Sequence, residues 1–186
     1  VTERVVGEIE DAAQRIAKLV KSVKGYTHMD RANDRQPVDV REGLRSTVTM
    51  LGHKVRENQI QIEEQFDEQL PSVQGYPGEL NQVWTNLIDN AIDAMEGGGT
   101  LSLRAFCDRA ILRVEIADTG TGIPAEDLTH IFEPFFTTKP IGKGTGMGLD
   151  VVQRILSSHQ ATIRVDSEPG KTEFCICYPL ESQVTT

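Results

Sequence analysis

The sequence predicts an α+β protein: a two-layer α/β sandwich, its mixed and mostly antiparallel sheet covered by helices, preceded by an N-terminal bundle-forming helix. Three observations predict it. Apolar residues recur in steps of three and four over Val5–Val23 and again between Gly78 and Met95, the period of helices. They alternate in steps of two through TLSLRAFCDRAILRVEIAD and ATIRVDSEPGKTEFCICYPL, each run broken by a turn, which is hairpin sequence. Helices and hairpins kept in separate blocks fit a sheet with helices laid against it. At 186 residues the chain supplies one good core, or one domain plus an appendage.

Taken in order, Val5, Ile9, Ala12, Ile16, Leu19 and Val23 form the seam of a coiled coil or bundle, with Val6, Ala13 and Val20 widening it. One helix cannot make a bundle, so the seam implies a second helix upstream, a second chain, or both. Gly25 weakens this helix and Pro37 closes the linker RANDRQP. The expected division is 1–35 for the helix and linker, 36–182 for a second domain and 183–186 for a frayed tail. Within the second domain, VDV reads as a short strand leading into the helix REGLRSTVTMLGHKV. IQIEEQF alternates like an edge or half-buried strand, and LPSVQGYP reads as a short strand with a turn. The helix Gly78–Met95 ends at Gly97–Gly99. The first hairpin turns near Asp108–Arg109, the second at Glu168–Gly170, and a helix over Val151–Ser158 separates them.

A net charge of −9 argues against nucleic acid or an anionic membrane as partner, since both require a basic face. Nothing resembles a signal peptide or a bilayer-spanning run, so a cytoplasmic location is expected, without direct membrane contact. The chain opens at Val1 in the middle of a helical pattern, which reads as a fragment of something longer whose membrane segment, if any, lies elsewhere. Cys107, Cys175 and Cys177 sit in strand-like sequence and are expected to be buried free thiols in a reducing compartment. No histidine or further cysteine stands at metal-ligand spacing from them.

Two stretches carry chemistry. Between Asp118 and Leu149 two glycine clusters flank Phe132, Phe135 and Phe136, and the second cluster, GKGTGMGL, runs directly into a helix. Glycine backbone can approach a ligand closely and turn several amides toward one anion, and a helix start adds its positive dipole end. The stretch is either a phosphate cradle that opens and closes or a turn-rich surface loop. On the helix from Gly78, Leu80, Val83, Trp84, Leu87, Ala91 and Ala94 cover one arc, and Gln82, Asn86, Asn90 and Asp93 fall on a narrow polar one. Asparagine is a poor helix former. Two of them four residues apart are either an exposed amide ladder or oxygens aimed at a hydrated Mg²⁺.

The motifs NLIDNAIDAM, DTGTGIP, IFEPFFTTK and GKGTGMGL, in this order and spacing, resemble the N, G1, F and G2 boxes of the sensor histidine kinase catalytic domain. That domain belongs to the ATPase superfamily shared with gyrase, the mismatch-repair ATPases and the heat-shock chaperone. The resemblance covers about 38–180 and makes the preceding helix similar to the second helix of the dimerisation and phosphotransfer hairpin. It implies ATP and Mg²⁺ as cofactors. Asn90 would be the Mg²⁺ ligand, Asn86 would lie near the phosphates, and Asp118 would accept a hydrogen bond from the adenine amino group. Gly120 and Gly122 would let the backbone pass under the base, and Thr172 would support the aspartate through water. Phe132, Phe135 and Phe136 would anchor a lid, each with a core role as the alternative; Lys139 and Lys143 would be lid cations reaching the phosphates, or ordinary solvated lysines. Gly144, Gly146 and Gly148, with Thr145 and Met147 between them, would supply the cradle, and Asp93, Ile123, Thr138 and Leu149 would also line the nucleotide.

The family's phosphoacceptor is a histidine followed by an acidic residue. His28, His53, His130 and His159 precede Met29, Lys54, Ile131 and Gln160, so none fits, and each reads as a surface or packing residue. The resemblance therefore implies transfer of the γ-phosphoryl of Mg-ATP to a histidine outside this chain, without autophosphorylation by the chain alone. The partners would be a response regulator bearing an aspartate and a second copy in the intact protein. The alternatives are an ATP hydrolase of the same superfamily, a serine kinase of the anti-sigma type, and a non-catalytic nucleotide-binding dimerisation module. Asn86 stands where the hydrolases carry a glutamate, which favours the kinase.

Overall fold

The computed structural model describes residues 34–140 and 144–180; the expected bundle helix, the first three residues of the linker RANDRQP, the tail and Lys143 lie outside them, and the last two linker residues, Gln36 and Pro37, belong to a strand. Strand β1 is Gln36–Val38, and Asp39 is used as a helix cap instead of continuing it. The Asp39 carboxylate accepts the Arg41 amide at 2.9 Å and starts α1, Val40–Met50. The sequence predicts one helix through Val55. Instead the chain breaks at Leu51 and resumes as α2, Gly52–Glu57. Thr47 and Thr49 both bond back to carbonyls four residues earlier, which bends a helix, and Gly52 follows immediately.

Strand β2, Ile60–Phe66, leads to β3, Val73–Gly75, which pairs with β1 as a separate two-stranded antiparallel ribbon. Pro77 then sits in the first turn of α3, Pro77–Ala94, where its missing amide costs nothing. Next come β4, Gly99–Asp108, and β5, Ile111–Asp118, then, after a long connection, α4, Gly148–Ser158. The chain closes with β6, Thr162–Glu168, and β7, Lys171–Pro179. Helix α4 starts three residues before the expected Val151, inside the glycine cluster itself.

The main sheet has the order β2-β4-β5-β7-β6. Only β2 and β4 run parallel, and α3 lies on the crossover such a pair requires. The helices cover one face. Leu101, Leu103, Leu112, Val114, Ile116, Phe174, Ile176 and Tyr178 point into it and meet Leu44, Trp84, Leu87, Ile88, Ile92, Val152 and Leu156. Each such side chain contributes about 1.5–3 kcal/mol by leaving water. Ile88 and Ile92 join the expected apolar arc of α3, and Ala94 is only half-buried.

No helix of the described residues is long and apolar enough to cross a membrane. The other sheet face has no layer over it among the described residues. The expectation of buried thiols therefore fails: Cys107, Cys175 and Cys177 are free but only half-buried. Cys175 and Cys177 alternate with the buried Phe174, Ile176 and Tyr178, so they fall on the open face, their sulfurs 3.9 Å apart.

Candidate functional site

Helix α3 acts as a ruler. Its polar arc meets three other parts of the chain in turn over about 12 Å, at 1.5 Å per residue. At Asn86 it meets the start of α4: a Cβ added to Gly148 would lie 3.4 Å from Asn86 Oδ1. Met147 caps that helix without any side-chain bond, so its first-turn amides have no capping side chain. At Asn90 and Asp93 it meets the connection between β5 and α4, where Lys139 Nζ donates to Asn90 Oδ1 at 2.9 Å and to Asp93 Oδ2 at 2.7 Å. At Ala94 it meets the loop after β5, whose Thr121 amide donates to the Ala94 carbonyl at 3.1 Å.

Asp93 is held from two sides, because Lys54 on α2 donates to its Oδ1 at 3.4 Å and also pairs with Asp89. Burial alone would raise the Asp93 pKa, but the hydrogen bond and charge of Lys139, with Lys54 behind them, keep it below the usual carboxylate range. Lys54 shows the counterpart: burial pulls its pKa down, and Asp89 and Asp93 more than restore it.

Asp118 ends β5 with only 4 % of its surface exposed. Its Oδ1 accepts the Gly120 amide at 2.9 Å, and Oδ2 has no protein donor among the described residues. Burial pushes this carboxyl up to about 6, partly offset by the Gly120 amide. Four backbone amides of the following loop have traceable partners. Thr119 donates to Thr100 O, Gly120 to Asp118, Thr121 to Ala94 O and Ile123 to Ser167 Oγ. The glycines are needed for this fit: a Cβ at Gly120 would come within 2.6 Å of the Ala94 carbonyl oxygen, and one at Gly122, where φ is +79°, within 2.3 Å of Glu168 O. Thr172 is the cross-strand partner of Asp118 and is itself buried.

Of the remaining candidates, Phe132 and Phe136 are half-buried against the core, as either a lid anchor or a core residue would be. Phe135 does not join them: 71 % of it is exposed, with φ at +69°. A Cβ at Gly146 would lie 2.5 Å from Phe135 O, so that residue's backbone, not its ring, makes the contact with the second glycine cluster. Gly144 instead lies against a side chain, where an added Cβ would come within 2.5 Å of Thr137 Oγ1. Ile123, Thr145, Met147 and Leu149 are half-buried, and Thr138 is exposed. Lys143 lies outside the described residues. Sequence reasoning missed Lys54, which no spacing rule connects to α3, and Ser167, whose role depends on strand register.

The family model for histidine kinase-, DNA gyrase B- and HSP90-like ATPases matches residues 75–182. The sensory histidine kinase/phosphatase NtrB of Rhodobacter capsulatus is 35% identical over 185 residues, an alignment that takes in 92% of this chain and 51% of that protein. The chain thus spans about half the length of that relative. The nucleotide-free catalytic domain of histidine kinase ThkA superposes with a TM-score of 0.71 at 27% identity, over 79% of this chain and 98% of that domain. A crystal structure of full-length ShkA in complex with AMPPNP gives 0.77 at 26% identity, over 95% of this chain and 38% of that one. With its boxes in order along one helix, one strand end and one helix start, the chain belongs to the family of histidine kinase-, DNA gyrase B- and HSP90-like ATPases, in its sensor histidine kinase branch.

Proposed function

We propose that this chain is the ATP-binding catalytic part of a sensor histidine kinase, transferring the γ-phosphoryl of Mg-ATP to a histidine outside it for relay to an aspartate of a response regulator. The intact protein would act as a homodimer. The observation that carries the reading is Asn90. Its amide oxygen already faces a cation, the Lys139 ammonium at 2.9 Å, with an Asp93 oxygen 2.7 Å from the same nitrogen. Hard oxygens gathered around a positive charge are the donors Mg²⁺ accepts, so the residues fit the metal. When bound, Mg²⁺ would neutralise charge on the triphosphate.

The chain's own residues supply positioning. Asn90 orients the phosphates, the first amides of α4 offer donors beside Asn86, and Lys139 brings a lid charge to them. Asp118 Oδ2 accepts from an exocyclic amino group of the base. The acceptor must come from elsewhere. His159 is buried with Nδ1 2.8 Å from Ile155 O, and His53 and His130 lie beside Glu57 and Glu133 on the surface. His28 lies outside the described residues.

Calorimetric titration with ADP and ATP, with Mg²⁺ and with chelator, tests the reading. The chain should bind both nucleotides more tightly with Mg²⁺, and Asn90→Ala should lose about tenfold of that affinity, or ~1.4 kcal/mol, only when Mg²⁺ is present. An Asn90→Ala variant that keeps the full Mg²⁺ enhancement would overturn the assignment. Incubation with γ-labelled ATP should give acid-labile label on an added polypeptide carrying a histidine–acidic pair, and none on this chain.

A further inference from the structure

Asp118, Thr172 and Ser167 occupy one row across β5, β7 and β6, because Thr172 is the register partner of both others. Ser167 Oγ lies 2.9 Å from the Ile123 amide, 2.9 Å from Thr172 Oγ1 and 3.1 Å from the Lys171 carbonyl oxygen. A hydroxyl has one proton and two acceptor lone pairs. The Ile123 amide can only donate, and the Lys171 carbonyl can only accept. Ser167 therefore gives its proton to Lys171 O, and its second lone pair receives the Thr172 proton. What Thr172 has left to offer, beside Asp118, is lone pairs. Asp118 is itself an acceptor, with Oδ1 held by Gly120.

We propose that Ser167 is a positioning residue that sets nucleobase specificity: by taking the Thr172 proton it leaves the Thr172 hydroxyl, beside the Asp118 carboxylate, presenting acceptors alone. Such a site admits a base edge bearing an amino donor and rejects one bearing a carbonyl. This rests on the nucleotide reading of the site. The second half of the device is the loop. Ser167 also holds the Ile123 amide, and Gly122 brings the backbone directly onto Glu168 next to it. One hydroxyl thus fixes both the direction of the Thr172 proton and the distance of the loop from the β6–β7 turn. In Ser167→Ala the Thr172 hydroxyl is released, can turn its proton toward the base, and can accommodate a carbonyl.

The test compares ADP with inosine diphosphate, which carries a carbonyl in place of the amino group, by calorimetry with Mg²⁺. Wild type should prefer ADP. Ser167→Ala should narrow that preference about tenfold, Thr172→Val should narrow it similarly, and the double variant should narrow it no further. Ser167→Thr keeps an oxygen and should restore most of the preference. If Ser167→Ala weakens both nucleotides by one factor and leaves their ratio unchanged, the role is merely structural and the proposal fails. It fails equally if Thr172→Val keeps the wild-type ratio. A wild-type chain that binds neither nucleotide refutes the parent reading instead, and a wild type that binds both equally refutes only this one.

Discussion

The two ends of the site along α3 are built in opposite ways. At the Asp118 end a buried carboxylate is flanked by a loop in which Thr119, Gly120, Thr121 and Ile123 each have an amide bonded to the protein, and by glycines that leave no room for a side chain. At the Asn90 end the contacts are ionic and open to water: the Lys139 and Asp93 side chains are 31% and 32% exposed. A buried acceptor held rigid discriminates, because a wrong partner leaves it unsatisfied. An exposed ion pair is weak and exchanges easily, which suits a place where one cation must give way to another. On the proposed reading, recognition and chemistry are thus divided between a stiff end and a soft one.

The largest expected effect tests the stiff end. Asp118→Asn should weaken ADP binding about 30-fold, or ~2 kcal/mol, the worth of a hydrogen bond to a charged group. Its melting temperature at pH 8 should hold or rise, since the substitution removes a buried charge that folding disfavours. Wild-type affinity in that variant, read by calorimetry, would erase the contrast.

A smaller effect comes from pH. Burial lifts the folded Asp118 carboxyl from 3.8 to about 6. Between those values the folded chain keeps a proton that the unfolded chain has lost, so this group's contribution to stability falls as pH rises through the window. The ionised form is the stronger acceptor for an amino donor, so nucleotide affinity should rise through pH 6 while the melting temperature of the nucleotide-free chain drifts the other way. Asp118→Asn should flatten both trends. A wild type whose affinity is level from pH 5 to 8 would place the carboxyl outside the base site.

The smallest effect belongs to the soft end. Lys139→Met should change Mg-ADP affinity by roughly threefold and reduce its dependence on salt, as expected of a half-exposed charge. A hundredfold loss would show that this end is as rigid as the other.

What could be read in the sequence follows from how local each signal is. Asn86, Asn90 and Asp93 were legible because a helix places residues three and four apart on one stripe. Asp118 was legible from its motif, but its row with Thr172 and Ser167 depends on strands far apart in sequence, and register is a tertiary fact. Lys54 was hidden for the same reason, since its partners lie on a different helix. The break at Leu51 could have been suspected from Thr47, Thr49 and Gly52. The thiols were misplaced because alternation shows that a strand has two faces and not which of them is covered. Phe135, read with its neighbours as a lid anchor or a core residue, stands 71% exposed, because a run of aromatics does not show which ring the backbone leaves outside.

Trp84 and Asn90 share one helix, the first fully enclosed and the second at the cation site. Substitutions that loosen the hydrophobic layer around Trp84 would therefore tilt the rod that, on the proposed reading, sets the spacing between base and phosphates. On the proposed reading, heat-sensitive loss of nucleotide binding is then expected to map to interior positions of this helix as often as to the candidate site residues.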